Sequence, residues 1–222
     1  MAILDPVHWE TITPQMRDLL CFIGQQPFAN RFYLAGDTAL ALRLGHRRSI
    51  DLDFFSATDD LLQETRQEIQ KALSPLAAQA LEDVIGNLLL RVSDLHVGFF
   101  GYNYSLLEPI DSVEGVAVAS LVDVGLMKLD ALIDRGSRKD FYDVYVVARQ
   151  IPIPDLLALG RAKYPRVRDF EFMAIESLVM FESADRDLQP DLLIDLPWEQ
   201  VRQFFIAQAR DLGQIWFRTR KN

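Results

Sequence analysis

Apolar residues first recur at helical spacing at Met16, Leu19, Leu20 and Ile23. With Thr13 as a cap and Pro14 behind it, they predict a helix over residues 14–24. Residues 32–35 read as a short strand. Residues 38–44, Thr-Ala-Leu-Ala-Leu-Arg-Leu, are strong helix formers that start directly after Gly36, so a turn delivers a helix N-terminus there. Ile50, Leu52 and Phe54 then alternate with Asp51 and Asp53, the period-two pattern of a strand with one wet face. Residues 59–73 have the pattern of an amphipathic helix. Residues 77–84, 88–92 and 95–100 read as strands bounded by turns at Gly86-Asn87 and Ser93-Asp94, and residues 116–118 as one more. From Ser120 the pattern turns helical. Ser120 with Asp123 and Ser137 with Asp140 resemble capping boxes, opening helices to Arg135 and Arg149. Pro152 and Pro154 interrupt the chain, and helices are predicted near 155–163, 168–182 and 197–217. The fold class is α+β: a small mixed sheet with flanking helices over residues 1–119, then a helical half, 120–222, expected to pack on that core and complete its site.

Composition narrows the picture. The chain has 222 residues, is 50% hydrophobic and 25% charged, and can bury one good core or two smaller ones. No apolar run approaches the roughly 20 residues that span a bilayer, and the N-terminus lacks a basic segment followed by an apolar one. The expectation is therefore a cytoplasmic protein with no membrane association. Cys21, beside Leu19, Leu20 and Phe22, reads as a packed apolar residue in a reducing compartment. His8, His46 and His96 have no cysteine or histidine partner at ligand spacing, which argues against zinc and leaves carboxylates with magnesium. Net charge is −9, and residues 1–150 hold 13 Lys/Arg against 21 Asp/Glu, so non-specific attraction to nucleic acid is disfavoured. An RNA partner would have to meet a local basic cluster, either Arg43, Arg47 and Arg48 or Arg218, Arg220 and Lys221. Walker, Rossmann and nucleophile-elbow glycine motifs are all absent.

The candidate chemistry centres on Asp51 and Asp53. On an extended strand they share a face with Cα atoms about 6.6 Å apart. Two such charges repel by roughly 3 kcal/mol at an effective dielectric of about 20, a cost that a divalent cation reverses. The other reading is the wet face of an ordinary half-buried strand. Gly36 and Thr38, at a helix start, suit a triphosphate or are simply a strand-to-helix turn. Lys128 and Arg135 stand two helical turns apart on one face, either reaching one phosphate or pairing with acids such as Asp123 and Asp134. Asp140 and Asp143 share a face of the next helix; Asp140 also reads as a capping acid, and Asp143 as a partner of Arg135 or Arg138.

Four blocks occur together and in order: Gly36-Asp37-Thr38-Ala39-Leu40-Ala41-Leu42, His46-Arg47-Arg48-Ser49-Ile50-Asp51-Leu52-Asp53-Phe54-Phe55, Lys128-Leu129-Asp130-Ala131-Leu132-Ile133-Asp134-Arg135, and Lys139-Asp140-Phe141-Tyr142-Asp143. Over about residues 30–150 the chain resembles the AbiEii/AbiGii-type nucleotidyltransferase toxins of abortive-infection and toxin–antitoxin systems. The resemblance implies a nucleotidyltransferase fold of the polymerase-β type. It implies Mg2+ on Asp51 and Asp53, and catalytic roles for Asp51, Asp53, Lys128 and Asp140. It also implies a nucleotide site drawn from Gly36, Asp37, Thr38, Ser49, Lys128 and Arg135. The implied activity moves a nucleoside monophosphate from an NTP to an acceptor hydroxyl on tRNA or another RNA, under restraint by a cognate antitoxin. Two positions depart from the family pattern. Asp37 stands where a second small turn residue is usual, and residues 95–100 carry no third carboxylate. A catalytically inactive nucleotide-binding or protein-interaction module on the same fold is the alternative reading.

Overall fold

The Thr13 hydroxyl accepts a hydrogen bond from the Met16 N–H (3.2 Å) and Pro14 takes the first helical position, so the first long helix starts where the sequence places its cap. The computed structural model describes residues 2–219, with side chains described as far as residue 215. The side chain of Arg218, and residues Arg220 and Lys221, lie outside the described residues.

The chain divides after Ser120 into two compact units. In order, the first unit runs β1 (Ala2–Ile3), α1 (Pro14–Gly24), β2 (Tyr33–Leu34), α2 (Gly36–Leu44), β3 (Asp51–Ser56), α3 (Gln63–Leu73), β4 (Gln79–Val84), β5 (Asn87–Val92), β6 (Leu95–Gly101), β7 (Asp111–Val113) and β8 (Val116–Val118). The strands form one mixed sheet in the order β1-β7-β8-β2-β3-β6-β5-β4. Within it β3 pairs antiparallel with β2 and parallel with β6. Along β3, Leu52, Phe54 and Ser56 are buried while Asp51, Asp53 and Phe55 stay partly open, as the alternation predicts. Phe54 stacks on Phe99 (5.1 Å), and Phe28 and Phe32 meet Phe99 edge-on, against the buried Met16, Leu20 and Ile23 of α1.

Several expectations need correction. Ile50 lies before the strand and is 71% exposed, so it is not part of the buried stripe. The amphipathic pattern over 59–73 becomes a helix only at Gln63. Asp59 is used in a turn, where its carboxylate accepts the Leu61 N–H (2.8 Å) and pairs with Arg31 (3.1 Å). The first hairpin turns on Ile85-Gly86, with Asn87 already in β5. The strands β1 and β7 are too short to leave a periodic signal. Arg43 and Arg47 do not make an open basic patch. Arg43 donates to the Ala119 carbonyl (2.8 Å) and pairs with Asp111 (2.9 Å), and Arg47 is 3% exposed.

The second unit is helical: α4 (Leu121–Asp134), α5 (Arg138–Ala148), α6 (Ile153–Lys163), α7 (Phe170–Ser177), α8 (Glu182–Arg186) and α9 (Trp198–Thr219). Phe141 anchors an aromatic core with Phe181 (5.0 Å), Phe205 (5.2 Å) and Trp198 (5.7 Å). The helix expected over 168–182 ends at Ser177, where tight bonds from the Val179 and Met180 N–H groups to Glu176 and Ser177 follow it, and α8 begins only at Glu182. Asp123, read as a capping acid, is fully buried and paired with the fully buried Lys163 (2.8 Å). No described helix is long and apolar enough to cross a membrane.

On α4, Asp130 is pushed above the usual carboxylate range, first by burial and then by the charge of Asp134. A raised folded pKa favours the fold most at low pH, and that contribution is lost as pH rises through it. Asp130→Asn is therefore expected to raise Tm at pH 7 by of order 2 °C, with the gain fading below about pH 4. Thermal unfolding at the two pH values checks this; an equal change at both refutes it.

Candidate active site

The first unit holds the strand carboxylates and the turn beside them. The Ala35 N–H donates to the Asp53 carbonyl (3.1 Å), which seats the start of α2 against β3. Gly36 opens that helix at φ +64°, a left-handed conformation that side chains other than glycine's rarely adopt. A Cβ there would stand 3.5 Å from Asp53 Oδ2. The Thr38 hydroxyl donates to the Asp51 carbonyl and pairs with the Ser49 hydroxyl (2.8 Å), and both side chains are buried. These two hydroxyls pin the helix to the carboxylate strand. Asp37, the unexpected acid of the turn, is ion-paired to Arg47 (3.2 Å), so its charge is offset within the unit.

Register adds what sequence alone did not. Asp51 stands opposite His96 and Asp53 opposite Gly98 in the parallel β3–β6 pair. The His96 Nδ1 lies 3.4 Å from Asp51 Oδ1. A Cβ on Gly98 would fall 2.9 Å from Asp53 Oδ1 and 2.5 Å from the Phe100 ring, so the glycine leaves the space that the carboxylate occupies.

The second unit holds the cationic pair and its acids. Lys128 Nζ contacts Asp140 (3.2 Å) and Asp143 (2.6 Å), with both carboxylates fully buried and Lys128 nearly so. Arg135, half exposed, donates two 2.8 Å bonds to Asp140, and the Ser137 hydroxyl adds a third at 2.5 Å. Lys128 and Arg135 thus share one face, but their partner is the acid of the next helix rather than Asp123 or Asp134. Asp143 takes Lys128 rather than Arg135 or Arg138; the Arg138 side chain instead donates to the Ala184 and Asp185 carbonyls. Burial alone would push the Asp140 pKa up. The charges of Lys128 and Arg135, with hydrogen bonds from Arg135 and Ser137, outweigh it and hold the carboxyl below its usual range. A carboxylate so held is a weak proton acceptor and a firm anchor for two cations.

The model of a nucleotidyl transferase family, the AbiEii toxin of a type IV toxin–antitoxin system, matches residues 17–105 and 102–216. The chain belongs to the AbiEii nucleotidyltransferase toxin family. An Aquifex aeolicus protein, itself uncharacterized, is 32% identical to this AbiEii member over 202 residues, covering 89% of this chain and 95% of its own. Among solved structures, the nucleotidyltransferase toxin MenT4 of Mycobacterium tuberculosis H37Rv has a TM-score of 0.57 at 19% identity, covering 89% of this chain and 82% of its own. A candidate nucleotidyltransferase from Helicobacter pylori has 0.53 at 15%, covering 93% and 98%. The antibiotic-resistance factor ANT(2'')-Ia has 0.52 at 13%, covering 69% and 94%. At these identities the likeness is one of fold, and that fold is the nucleotidyltransferase one. In this AbiEii chain the Asp51/Asp53 block lies in the first unit and the Lys128/Asp140 blocks in the second.

Proposed function

We propose that this AbiEii protein is a magnesium-dependent nucleotidyltransferase. It moves a nucleoside monophosphate from an NTP to an acceptor hydroxyl on tRNA or another RNA, as the toxin of a pair restrained by a cognate antitoxin. The observation that carries this reading is the strand face itself: two carboxylates on β3 with glycines at Gly36 and Gly98 leaving room around Asp53. An all-oxygen pair of acids fits a hard divalent cation. Bound there, the cation would supply Lewis-acid stabilisation of the phosphoryl oxygens.

The chain's own residues do the rest. Asp51 and Asp53 hold the cation, and the backbone N–H groups opening α2 after Gly36 offer an anion site for the triphosphate. Thr38 and Ser49 keep that helix start in register with β3. Lys128 and Arg135, oriented by Asp140 and Asp143, are assigned to nucleotide phosphate, and Asp140 acts by positioning them rather than by taking a proton. In the reaction the acceptor oxygen bonds to the α-phosphorus, the bond to the β-phosphate oxygen breaks, pyrophosphate leaves and the acceptor proton passes to solvent. Support for the toxin role comes from MenT4, described as a nucleotidyltransferase toxin. Support for hydroxyl transfer comes from ANT(2'')-Ia solved with adenylyl-2''-tobramycin.

Incubation of the purified chain with Mg2+, each α-labelled NTP and total RNA tests the proposal. Label on RNA is expected with at least one NTP; tight NTP binding with no transfer would favour the inactive module. The glycine of β6 gives a separate check. In Gly98→Ala the new Cβ would crowd both the Phe100 ring and the Asp53 carboxylate, so the carboxylate must shift. Mg2+ affinity by calorimetry is expected to fall by about tenfold or more. Unchanged affinity would remove Asp53 from the metal site.

A further inference from the structure

We propose that a row of aromatic rings on the open face of β3 and β6 holds an unpaired base at the end of the acceptor RNA by stacking, next to the carboxylates of the transfer site. The inference rests on the nucleotidyltransferase reading and names where its acceptor sits. Strand register puts Phe55 two residues beyond Asp53 on β3, opposite Phe100 on β6 and Tyr33 on β2, so the three rings share the face of Asp51 and Asp53. They stack in turn, Tyr33 on Phe55 (6.2 Å between centroids) and Phe55 on Phe100 (5.0 Å). Tyr102 meets Phe55 edge-on at 5.4 Å, and Tyr104 meets Tyr102 at 5.1 Å. Tyr33 is buried, while the other four keep part of their surface open. A contiguous aromatic patch of this kind marks a binding surface, where a single exposed ring would not. The row also reaches the acids. The point where a Gly98 Cβ would stand is 2.5 Å from the Phe100 ring and 2.9 Å from Asp53 Oδ1, so ring and carboxylate border the same space above the bare glycine.

The chemistry of the patch selects its occupant. Aromatic side chains hold single-stranded bases whatever their sequence, because every base has a π-face. The other grip on RNA, a basic strip along its backbone, is poorly supplied here. Net charge is −9, and in the first unit Arg43 is spent on the Ala119 carbonyl and Asp111, and Arg47 on Asp37. The NTP has a handle of its own, since its triphosphate is assigned to the cation and to the N–H groups opening α2. The acceptor end has no such handle, and the rings beside Asp53 supply one.

The test uses the full chain, without NTP, and a short oligoadenylate carrying 2-aminopurine at its 3' end, whose fluorescence is quenched when the base stacks. Wild type is expected to bind the oligonucleotide with quenching. In Phe100→Leu and in Tyr102→Leu, which keep apolar bulk and remove the π-face, the Kd should rise by roughly five- to hundredfold, the range carried by one base–aromatic stack, and the quenching should fade. An oligonucleotide whose last residue is abasic should bind wild type about as weakly as the intact one binds Phe100→Leu. Affinity for each of the four NTPs with Mg2+, by calorimetry, should stay within about twofold of wild type in both variants, and thermal unfolding checks that both remain folded. An oligonucleotide that wild type does not bind, binding and quenching that survive both substitutions, or an abasic end that binds as well as the intact one overturns the inference. Loss of NTP affinity with RNA affinity unchanged also overturns it, giving the rings to the incoming nucleotide instead. Label transfer to RNA by wild type with Mg2+ is read separately. Transfer combined with ring-independent RNA binding sinks this inference and leaves the nucleotidyltransferase reading standing, whereas ring-dependent base binding with no transfer from any NTP sinks that reading and the acceptor role with it.

Discussion

Asp51→Asn is expected to lower nucleotide transfer to RNA by at least about a thousandfold, a loss of about 4 kcal/mol of transition-state stabilisation, while the chain stays folded. Asparagine keeps the shape of the side chain and removes the charge that holds the cation. The same strand face predicts that stability will not fall, because Asp51 is 38% exposed and its removal relieves the repulsion with Asp53. Asp53→Asn should behave alike. Labelled-NTP transfer measured beside thermal unfolding separates the two effects. Transfer within tenfold of wild type in either variant would contradict the assignment, and a collapse of Tm would mean that the carboxylate is structural.

Lys128→Met is expected to cause the largest loss of stability, about 3–5 kcal/mol, because it removes a nearly buried ammonium that two fully buried carboxylates share. At about 2–4 °C per kcal/mol for a chain of this size, Tm should drop by about 6–20 °C. Asp143→Asn on that background should recover part of the loss, since it removes one of the two buried carboxylate charges that Lys128 offset, while Asp140 keeps Arg135. The pH dependence has a definite sign. The folded pKa of Asp140 is depressed, so its contribution is present above its unfolded value near pH 4 and is lost as pH falls through the depressed value. Without Lys128 that depression shrinks and the acid-induced loss should begin at higher pH. A Tm within about 2 °C of wild type would show that the cluster is solvated and of little weight.

Much of this was legible in the linear chain because it depends on neighbours in sequence. The cap at Thr13, the alternation that buries Leu52 and Phe54, and the helical spacing that puts Lys128 and Arg135 on one face are all local periodicities. The order of the four motif blocks was enough to point to the AbiEii family. Where local signals were weak or competed, the reading slipped: Asp59 left the helix it was expected to open, and the two-residue β1 carried no period at all.

Sequence by itself thus determined the element types, the two carboxylates on one strand face, and the family. Tertiary structure alone decided who meets whom. It set Arg47 against Asp37, gave Lys128 to Asp140 and Asp143, and placed His96 and Gly98 across from the two aspartates. The reason is that strand register and helix packing join residues far apart in the chain. A side chain's charge partner is then chosen by burial and geometry, neither of which is written in the spacing of its neighbours.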